Sequence, residues 1–440
     1  MAINSRHCLS KIFQPITAVS KTANIGHKDV TSKSQRLMLE LGIIQQANPG
    51  SFHFLPLGIK SLNKLKKIVD DEMCKVGGQR VMFPSLINTK LWENSGRLEN
   101  AGPELFQLKD RHDHSYVLSP THEEAASELI SSVSPLSYKQ FPLRLYQITS
   151  KFRDEMKPRF GLMRGREFLM KDMYTFDIDA QSAKRTYEEI CESYNKIFER
   201  IGVGFVKVLG TSGNIGGSLS HEFHFKADIG EDKVLFCNGC NYSANLELCK
   251  SHTCPKCGVE KSVDISNCIE VGHTFLLGDK YSKPLKARFL SKSGKPEDLQ
   301  MGCYGLGLSR ILAASVEVLS SEQEMRWPDT LAPYNVIIVP PKAGSKEEKS
   351  TKDVAEKLYT KIEDHIPELK DNVLLDDRLF LTIGRRHLDA RRVGYRYAIV
   401  INQRASENVP LFELNDIKTN VQVYLDENQL YQYIKENTLL

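Results

Sequence analysis

Two groupings of side chains in this sequence could do chemistry by their types and spacing. The first runs Lys151-Phe152-Arg153-Asp154-Glu155 and continues with Arg159, Arg164 and Arg166-Glu167-Phe168, four arginines within fourteen residues, with Phe160 and Phe168 among them. A guanidinium fork matches phosphate or carboxylate oxygens two at a time, and an aromatic face can stack on a planar base. An ordinary solvated charge run would account for the density by itself. Residues 144–149, however, read as a sheet strand, and arginines at the end of a core strand are costly unless something anionic pairs them. The pattern therefore points to a phosphate-bearing ligand with a planar ring.

The second grouping is Cys237-x2-Cys240 and, after thirteen residues, Cys254-x2-Cys257. Two such knuckles can offer four thiolates to one tetrahedral ion, zinc before iron, and sulfur would then fill every position. The metal would be structural and not catalytic. Unligated surface thiols are the alternative, and Cys249 inside the loop could compete as a ligand. The other cysteines (8, 74, 191, 268, 303) are scattered and read as a reduced set. Two further segments say less. Glycines 302, 305 and 307 lead toward Arg310 but match neither Walker nor Rossmann spacing. His221-Glu222-Phe223-His224 lacks HExxH spacing and alternates as a strand.

These groups need elements to hold them. A helical pattern follows Leu55-Pro56-Leu57-Gly58 and ends at Gly77-Gly78; residues 80–83 read as a strand stopped by Pro84. Strands are expected at 143–149 (running into 151–155), 269–277 and 287–290, and helices at 183–201 and 305–318. The pattern breaks around 327–333. Beyond it strands at 335–339, 372–375 and 397–401 alternate with helices at 345–365 and 383–392, which argues a small α/β domain; a closing helix is expected at 427–437.

Composition bounds the reading. With 41% apolar and 26% charged residues over 440, the chain can build more than one core and is not disordered throughout. No apolar stretch approaches the roughly 18 residues of a membrane span, so no membrane partner is expected. Residues 1–28 contain Arg6, Lys11, Lys21 and Lys28 and no acid. The 59 basic residues less these four equal the 55 acidic ones, so the body is neutral and a polyanion must be met by local patches. Basic, acid-free and dotted with Ser and Thr, this segment has the composition of a mitochondrial targeting segment, or else of a frayed basic terminus. On either reading it is set aside from the fold.

At these residues the sequence resembles the class II aminoacyl-tRNA synthetases, more narrowly the bacterial-type prolyl-tRNA synthetases of animal mitochondria. The resemblance runs from about residue 30. It rests on Pro84, Ser119-Pro120-Thr121-His122-Glu123-Glu124, Lys151–Glu155 with Arg166-Glu167-Phe168, Gly272-His273-Thr274-Phe275, and Gly302-Cys303-Tyr304-Gly305-Leu306-Gly307 with Arg310. It implies an α+β fold: a catalytic domain at 29–331 with an antiparallel sheet flanked by helices, a four-Cys knuckle inserted at 237–267, and a C-terminal α/β anticodon-binding domain at 332–440. It implies ATP and Mg2+, proline, tRNA(Pro), a homodimer with Pro84 near the subunit contact, and the mitochondrial matrix. Arg153 and Arg310 would be catalytic, Arg153 holding the proline carboxylate and α-phosphate and Arg310 the γ-phosphate. Glu155 would accept from the adenine amino group and Phe168 would stack on the ring, with Arg164 alongside. Thr121 and Glu123 would receive the proline ammonium, and His273 and Cys303 would line its ring pocket.

In the C-terminal domain the resemblance matches Arg378, Arg385, Arg386, Arg391 and Arg392, a local basic patch for anticodon phosphates and splayed bases. An ordinary basic helix face is the alternative for any one of them. Two departures stand out. Many bacterial relatives carry a large editing domain where only the cysteine knuckle lies here, so removal of mischarged alanine by this chain is not expected. Position 276 is Leu where those relatives typically have Gln. A catalytically inactive paralogue that binds RNA or protein, or a ligase with a non-tRNA acceptor, are the rival readings. The first requires loss of Arg153, Glu155, Arg310, Thr121 or Glu123, and all are present.

Overall fold

The structure, a computed structural model, describes residues 6–16, 30–133, 135–240, 242–249, 254–258, 263–351 and 353–438. Contacts divide the chain into two units. One comprises Gln46–Phe52 with Leu65–Val318; the other comprises the described residues as far as Gln45, then His53–Lys64 and Leu319 onward.

The first unit is built on a nine-stranded sheet of β1 (Gln79–Arg80), β2 (Leu143–Phe152), β3 (Glu167–Asp177), β4 (Phe205–Leu209), β5 (Leu219–Lys226), β6 (Asp232–Cys237), β7 (Ser243–Asn245), β8 (Val263–Gly278) and β9 (Gln300–Gly307). Its spatial order is β5-β4-β7-β6-β8-β9-β3-β2-β1, and the long β8 pairs with β5 as well as β6 along one edge. All pairings are antiparallel except β1–β2 and β4–β7.

Register decides what each face carries, because opposed residues of an antiparallel pair share a face. Asp172 opposes Gln147 and Gly305, and Tyr174 opposes Leu145 and Cys303. Gly305 and Cys303 in turn oppose His273 and Phe275. One face thus carries Lys151, Phe168, Asp172, Tyr174, Cys303 and His273. The other, with Lys171, Thr274 and Tyr304, is covered by α1 (Ala180–Ile201), whose Tyr194 and Tyr187 hydroxyls bond Lys171 and Thr274. Asp179 caps that helix by accepting from Ser182 N, and Gly202 ends it at φ 79. Its buried face (Ala183, Tyr187, Ile190, Tyr194, Ile197) is an apolar stripe at helical spacing.

The second unit has a five-stranded sheet in the order Val373–Leu375, Val336–Val339, Tyr397–Val400, Phe412–Asp416, Val421–Leu425. The first three strands are parallel and the last two antiparallel. Helices Val354–His365, Ile383–Val393 and Glu427–Asn437 belong to this unit.

Several expectations need correction. The helix expected over 345–365 is two, Lys346–Ser350 and Val354–His365, because Asp353 sits at φ 63, outside the right-handed helical region. The strand expected over 80–83 is only Gln79–Arg80. Residues 305–307 are strand, and the helix begins at Leu308; at Gly302 a side chain would run into the Tyr304 hydroxyl. Strands Phe412–Asp416 and Val421–Leu425 had no clear signal. The basic N-terminal segment is not separate from the fold either. Residues 6–16 pack within the second unit, with Cys8 in a parallel bridge to Leu375. The rest of that expected targeting segment lies outside the described residues.

Candidate active site

A cavity of about 570 Å³ opens on the sheet face opposite α1. Thr121, Glu123, Arg153, Glu155, Arg164, Phe168, His273, Cys303 and Arg310, all the residues expected to hold nucleotide and proline, line it.

At its deep end Glu123 opens the helix Glu123–Ser132 and is fully buried, as is Glu124. Arg97 Nη1 donates to Glu123 Oε2 at 2.9 Å and to Glu124 Oε1 at 3.2 Å. The Arg97 guanidinium also lies over the Trp92 ring at 4.6 Å. Thr121 Oγ1 reaches both Glu123 oxygens, at 2.9 and 2.8 Å. Burial would raise the Glu123 carboxyl, but Arg97, with hydrogen bonds from Cys303 and Thr121, outweighs it and holds the group below its usual range. Burial and then Glu123 push the Cys303 thiol well up, which keeps it protonated. The site thus presents an anion in an apolar recess.

Behind it runs a fixed network. The Tyr174 hydroxyl donates to Asp172 Oδ2 at 2.7 Å and accepts from His122 N at 2.7 Å. Lys151 pairs with Asp172 Oδ1 at 2.8 Å, and Gln147 Nε2 donates to Oδ2 at 3.0 Å. His273, stacked on Phe275 with ring centres 3.9 Å apart, is held between Glu270 Oε1 at 3.0 Å and Ser220 Oγ at 2.5 Å.

The other end is cationic. β2 ends at Phe152 and delivers Arg153 into the cavity, where its guanidinium carbon sits 5.2 Å from the centre of the Phe168 ring. Among the described residues its guanidinium has no ion pair and no hydrogen-bond partner. Burial, and then the nearby Arg310, lower its pKa. The other arginines here are tied. Arg164 bonds Glu155 Oε2 at 2.9 Å and Glu231 Oε2 at 2.7 Å. Arg310 donates to the carbonyls of Met163 at 2.8 Å and Glu270 at 3.0 Å. Arg159 pairs with Glu231. Arg166 bonds the Glu155 carbonyl at 3.0 Å and Asp154 at 3.1 Å, which makes it a brace for the loop.

Residues 106–319 match the family described as tRNA synthetase class II core domain (G, H, P, S and T). The chain is 47% identical over 408 residues, 92% of this chain and 85% of the other, to the probable mitochondrial proline–tRNA ligase of Rattus norvegicus. It is 39% identical to that of Schizosaccharomyces pombe, covering 93% of this chain and 95% of the other. The chain belongs to the prolyl-tRNA synthetases. Its fold agrees with solved members of that family. The enzyme from Cryptosporidium parvum, complexed with L-proline and AMP, superposes with a TM-score of 0.72 at 18% identity over 92% of this chain and 74% of that one. The enzyme from Giardia lamblia, in complex with prolyl-adenylate, gives 0.75 at 17% identity over 92% and 77%.

Within this prolyl-tRNA synthetase fold the four expected metal ligands also converge. The sulfurs of Cys237, Cys240, Cys254 and Cys257 lie within 4.8 Å of one another. Cys237 and Cys257 are 3.5 Å apart, as are Cys240 and Cys254. A disulfide needs about 2.05 Å, whereas zinc–sulfur bonds of about 2.3 Å imply tetrahedral edges near 3.8 Å. The donor set fits a Zn2+ ion, and Cys249 stands outside it.

The C-terminal arginines do not form one open patch. Arg378 is locked to Asp376 at 2.9 and 2.8 Å and to Asp389 at 3.1 Å. Arg391 bonds Glu324 and Asn420, and Arg392 bonds Glu40. Arg385, paired with Asp389 at 3.2 Å, is the most exposed of the five at 59%. Arg386 needs correction as an RNA contact. It is fully buried and donates to the carbonyls of Asp376 and Pro340.

Arg97, Asp172, Tyr174 and Glu270 escaped the sequence reading. Arg97 is a lone arginine with no spacing to mark it. The sheet period could have flagged Asp172 and Tyr174, since both alternate onto the face that bears Phe168.

Proposed function

We propose that the chain activates proline with ATP to prolyl-adenylate and passes the prolyl group to the 3′ end of tRNA(Pro) in the mitochondrial matrix. The observation that carries this is Arg153, a cation with no ion-pair partner among the described residues, lying between a buried carboxylate and a row of fixed arginines on one sheet face. Glu123 with Thr121 would receive the secondary ammonium, and the apolar recess beside Cys303 and Phe275 the ring. Arg153 would then hold the proline carboxylate against the α-phosphate. An oxygen of that carboxylate attacks the α-phosphorus while the bond to the β-phosphate oxygen breaks, releasing pyrophosphate. Fixed cations offset the charge that builds up, and positioning supplies much of the rate. A hydroxyl of the tRNA's terminal ribose next attacks the carbonyl and releases AMP. Glu155 and Phe168 would take the adenine.

Mg2+ would offset phosphate charge. Glu270 and Asp232 both line the cavity, and burial and then repulsion from Glu270 raise the Asp232 carboxyl, a donor pair suited to a cation. The knuckle would hold zinc as a structural ion. The matrix reading rests on the basic N-terminal segment and on relatives named mitochondrial. A homodimer is supported by Met82 and Leu86, exposed at 81% and 46% on either side of Pro84.

The test is proline-dependent ATP–pyrophosphate exchange, with alanine, cysteine and no amino acid as controls, followed by charging of tRNA(Pro). Exchange with proline that collapses in Arg153→Ala is expected. Its absence from folded, metal-replete protein would overturn the reading.

A further inference from the structure

The basic segment at the N-terminus has leader-like composition, yet part of it is built into the second unit. Val373–Leu375 is the edge strand of the five-stranded sheet. Its three apolar residues are nevertheless buried. An edge strand ordinarily leaves a row of backbone groups bare; here the chain at 7–8 covers it. Leu375 N donates to the His7 carbonyl at 2.9 Å, and Cys8 packs on the core beneath. Contacts continue to both ends of the segment. Arg6 pairs with Glu356 at 2.7 Å, and Gln14 Nε2 donates to the Leu41 carbonyl at 2.8 Å.

One contact links this arm to the arginines. Ser10 N and Oγ both donate to the Asp377 carboxylate, at 2.8 and 2.5 Å. The neighbouring Asp376 grips Arg378, which reaches Asp389, the partner of Arg385. The arm therefore clamps the loop from which this arginine network springs.

We propose that residues 6–16 stay with the working protein as an arm that positions the 376–382 loop for RNA, so that any removal of a leader stops before Arg6. The RNA part rests on the function proposed above. Targeting and folding then draw on the same stretch of chain, and Ser10 is a positioning residue that acts through Asp377.

Two experiments test this. The full chain is imported into mitochondria and the N-terminus of the mature protein is read by mass spectrometry. A mature form retaining residues 6–16 is expected; one that begins between residues 17 and 29 overturns the proposal. Separately, purified full-length protein, deletions of residues 1–5 and 1–16, and full-length Ser10→Asp and Ser10→Thr are compared. Ser10→Asp places a carboxylate against Asp377 in a chain that is otherwise whole. Deletion of 1–16 and Ser10→Asp should raise the KM for tRNA roughly tenfold, the loss of a few hydrogen bonds, with pyrophosphate exchange unchanged. Deletion of 1–5 and Ser10→Thr should match the full chain. An arm that merely stabilises would lower the melting temperature and leave the tRNA KM alone, and that outcome overturns the proposal. If the full chain charges no tRNA, the proposed function fails, while the N-terminus measurement still judges the arm.

Discussion

Replacing Arg97 with Met should decouple this enzyme's stability from its activity along the pH axis. The Arg97–Glu123 contact at 2.9 Å corresponds to a gross attraction of about 6 kcal/mol at an effective dielectric constant of about 20. Much of that is offset by desolvation, and removing one partner of such a buried pair costs about 3 to 5 kcal/mol. At about 2 to 4 °C per kcal/mol for a unit of this size, the melting temperature should fall by roughly 10 °C. In the wild type the Glu123 carboxyl is held below its ordinary value. Its contribution to stability is therefore present above the unfolded-state value of about 4.3 and lost as pH falls through the folded one. Without Arg97, burial and the Glu124 carboxylate raise it instead. The sign then reverses, and the variant loses stability as pH rises through the new value. Proline binding runs the other way, because only ionised Glu123 pairs with the ammonium, so the variant's KM for proline should fall as pH rises from 6 to 9. Glu124→Gln in the same chain, which removes the second carboxylate, should restore much of the stability. Thermal melts and pyrophosphate exchange across that range give both readings. A proline KM flat with pH, or a melting temperature within a degree or so of wild type, would refute the argument.

Other perturbations separate chemistry from scaffold. Arg153→Ala should cut exchange by about 10²-fold or more without lowering the melting temperature, because the guanidinium forfeits no ion pair among the described residues and its loss relieves repulsion from Arg310; melts and exchange on one preparation check both. Cys254→Ser should abolish stoichiometric zinc, read by elemental mass spectrometry, and lower stability while proline-dependent exchange persists. Arg386→Ala should cost about 2 to 4 kcal/mol of stability in denaturant titrations by stranding two carbonyls. Arg385→Ala should leave the titration unchanged and raise the KM for tRNA.

How much of this was legible in sequence depends on whether a residue's role follows from local period. The covering helix was legible from its helical spacing, and strands Leu143–Phe152 and Val263–Gly278 in part, whereas the central strands Glu167–Asp177 and Gln300–Gly307 were not read as strands. The motif arginines stood out as four cations beside a strand end, although Arg159, Arg164 and Arg166 prove to be paired with Glu231, Glu155 and Asp154. Arg385 and Arg386 show the limit. They are adjacent and identical, yet one is exposed and the other fully buried, because successive helical residues point about 100° apart and the sequence did not say where the sheet lay. Arg97 was illegible for a related reason, since its partners come from a separate helix 26 residues on. At the N-terminus composition is silent on packing. A segment free of acids has the profile of a leader, but its backbone hydrogen bonds, invisible to composition, are what seat it on the sheet edge.

The arrangement of partners around the cavity suggests why one arginine among several would carry the proposed chemistry. A guanidinium already matched to a carboxylate can meet a phosphate only by sharing or breaking that pair, which returns energy the new contact would otherwise supply. Arg164 stands in that position, held by Glu155 and Glu231, and so on the proposed function its part would be to orient Glu155. Arg310 bonds two carbonyls and has only a long ion pair, to Glu270 Oε2 at 3.7 Å; it is fixed in direction and its charge is only partly offset. Arg153 has neither constraint among the described residues and stands over an aromatic face beside a like charge. Its ground state is thus the one most relieved by an anion, and relief that grows as charge develops on the reacting phosphate lowers a barrier more than it tightens binding. On that reasoning Arg153→Lys, which keeps the charge but loses the planar fork, should depress kcat for exchange more than it raises the KM for ATP. Steady-state exchange kinetics at saturating proline measure that split directly, and a pure KM effect would place Arg153 in binding alone.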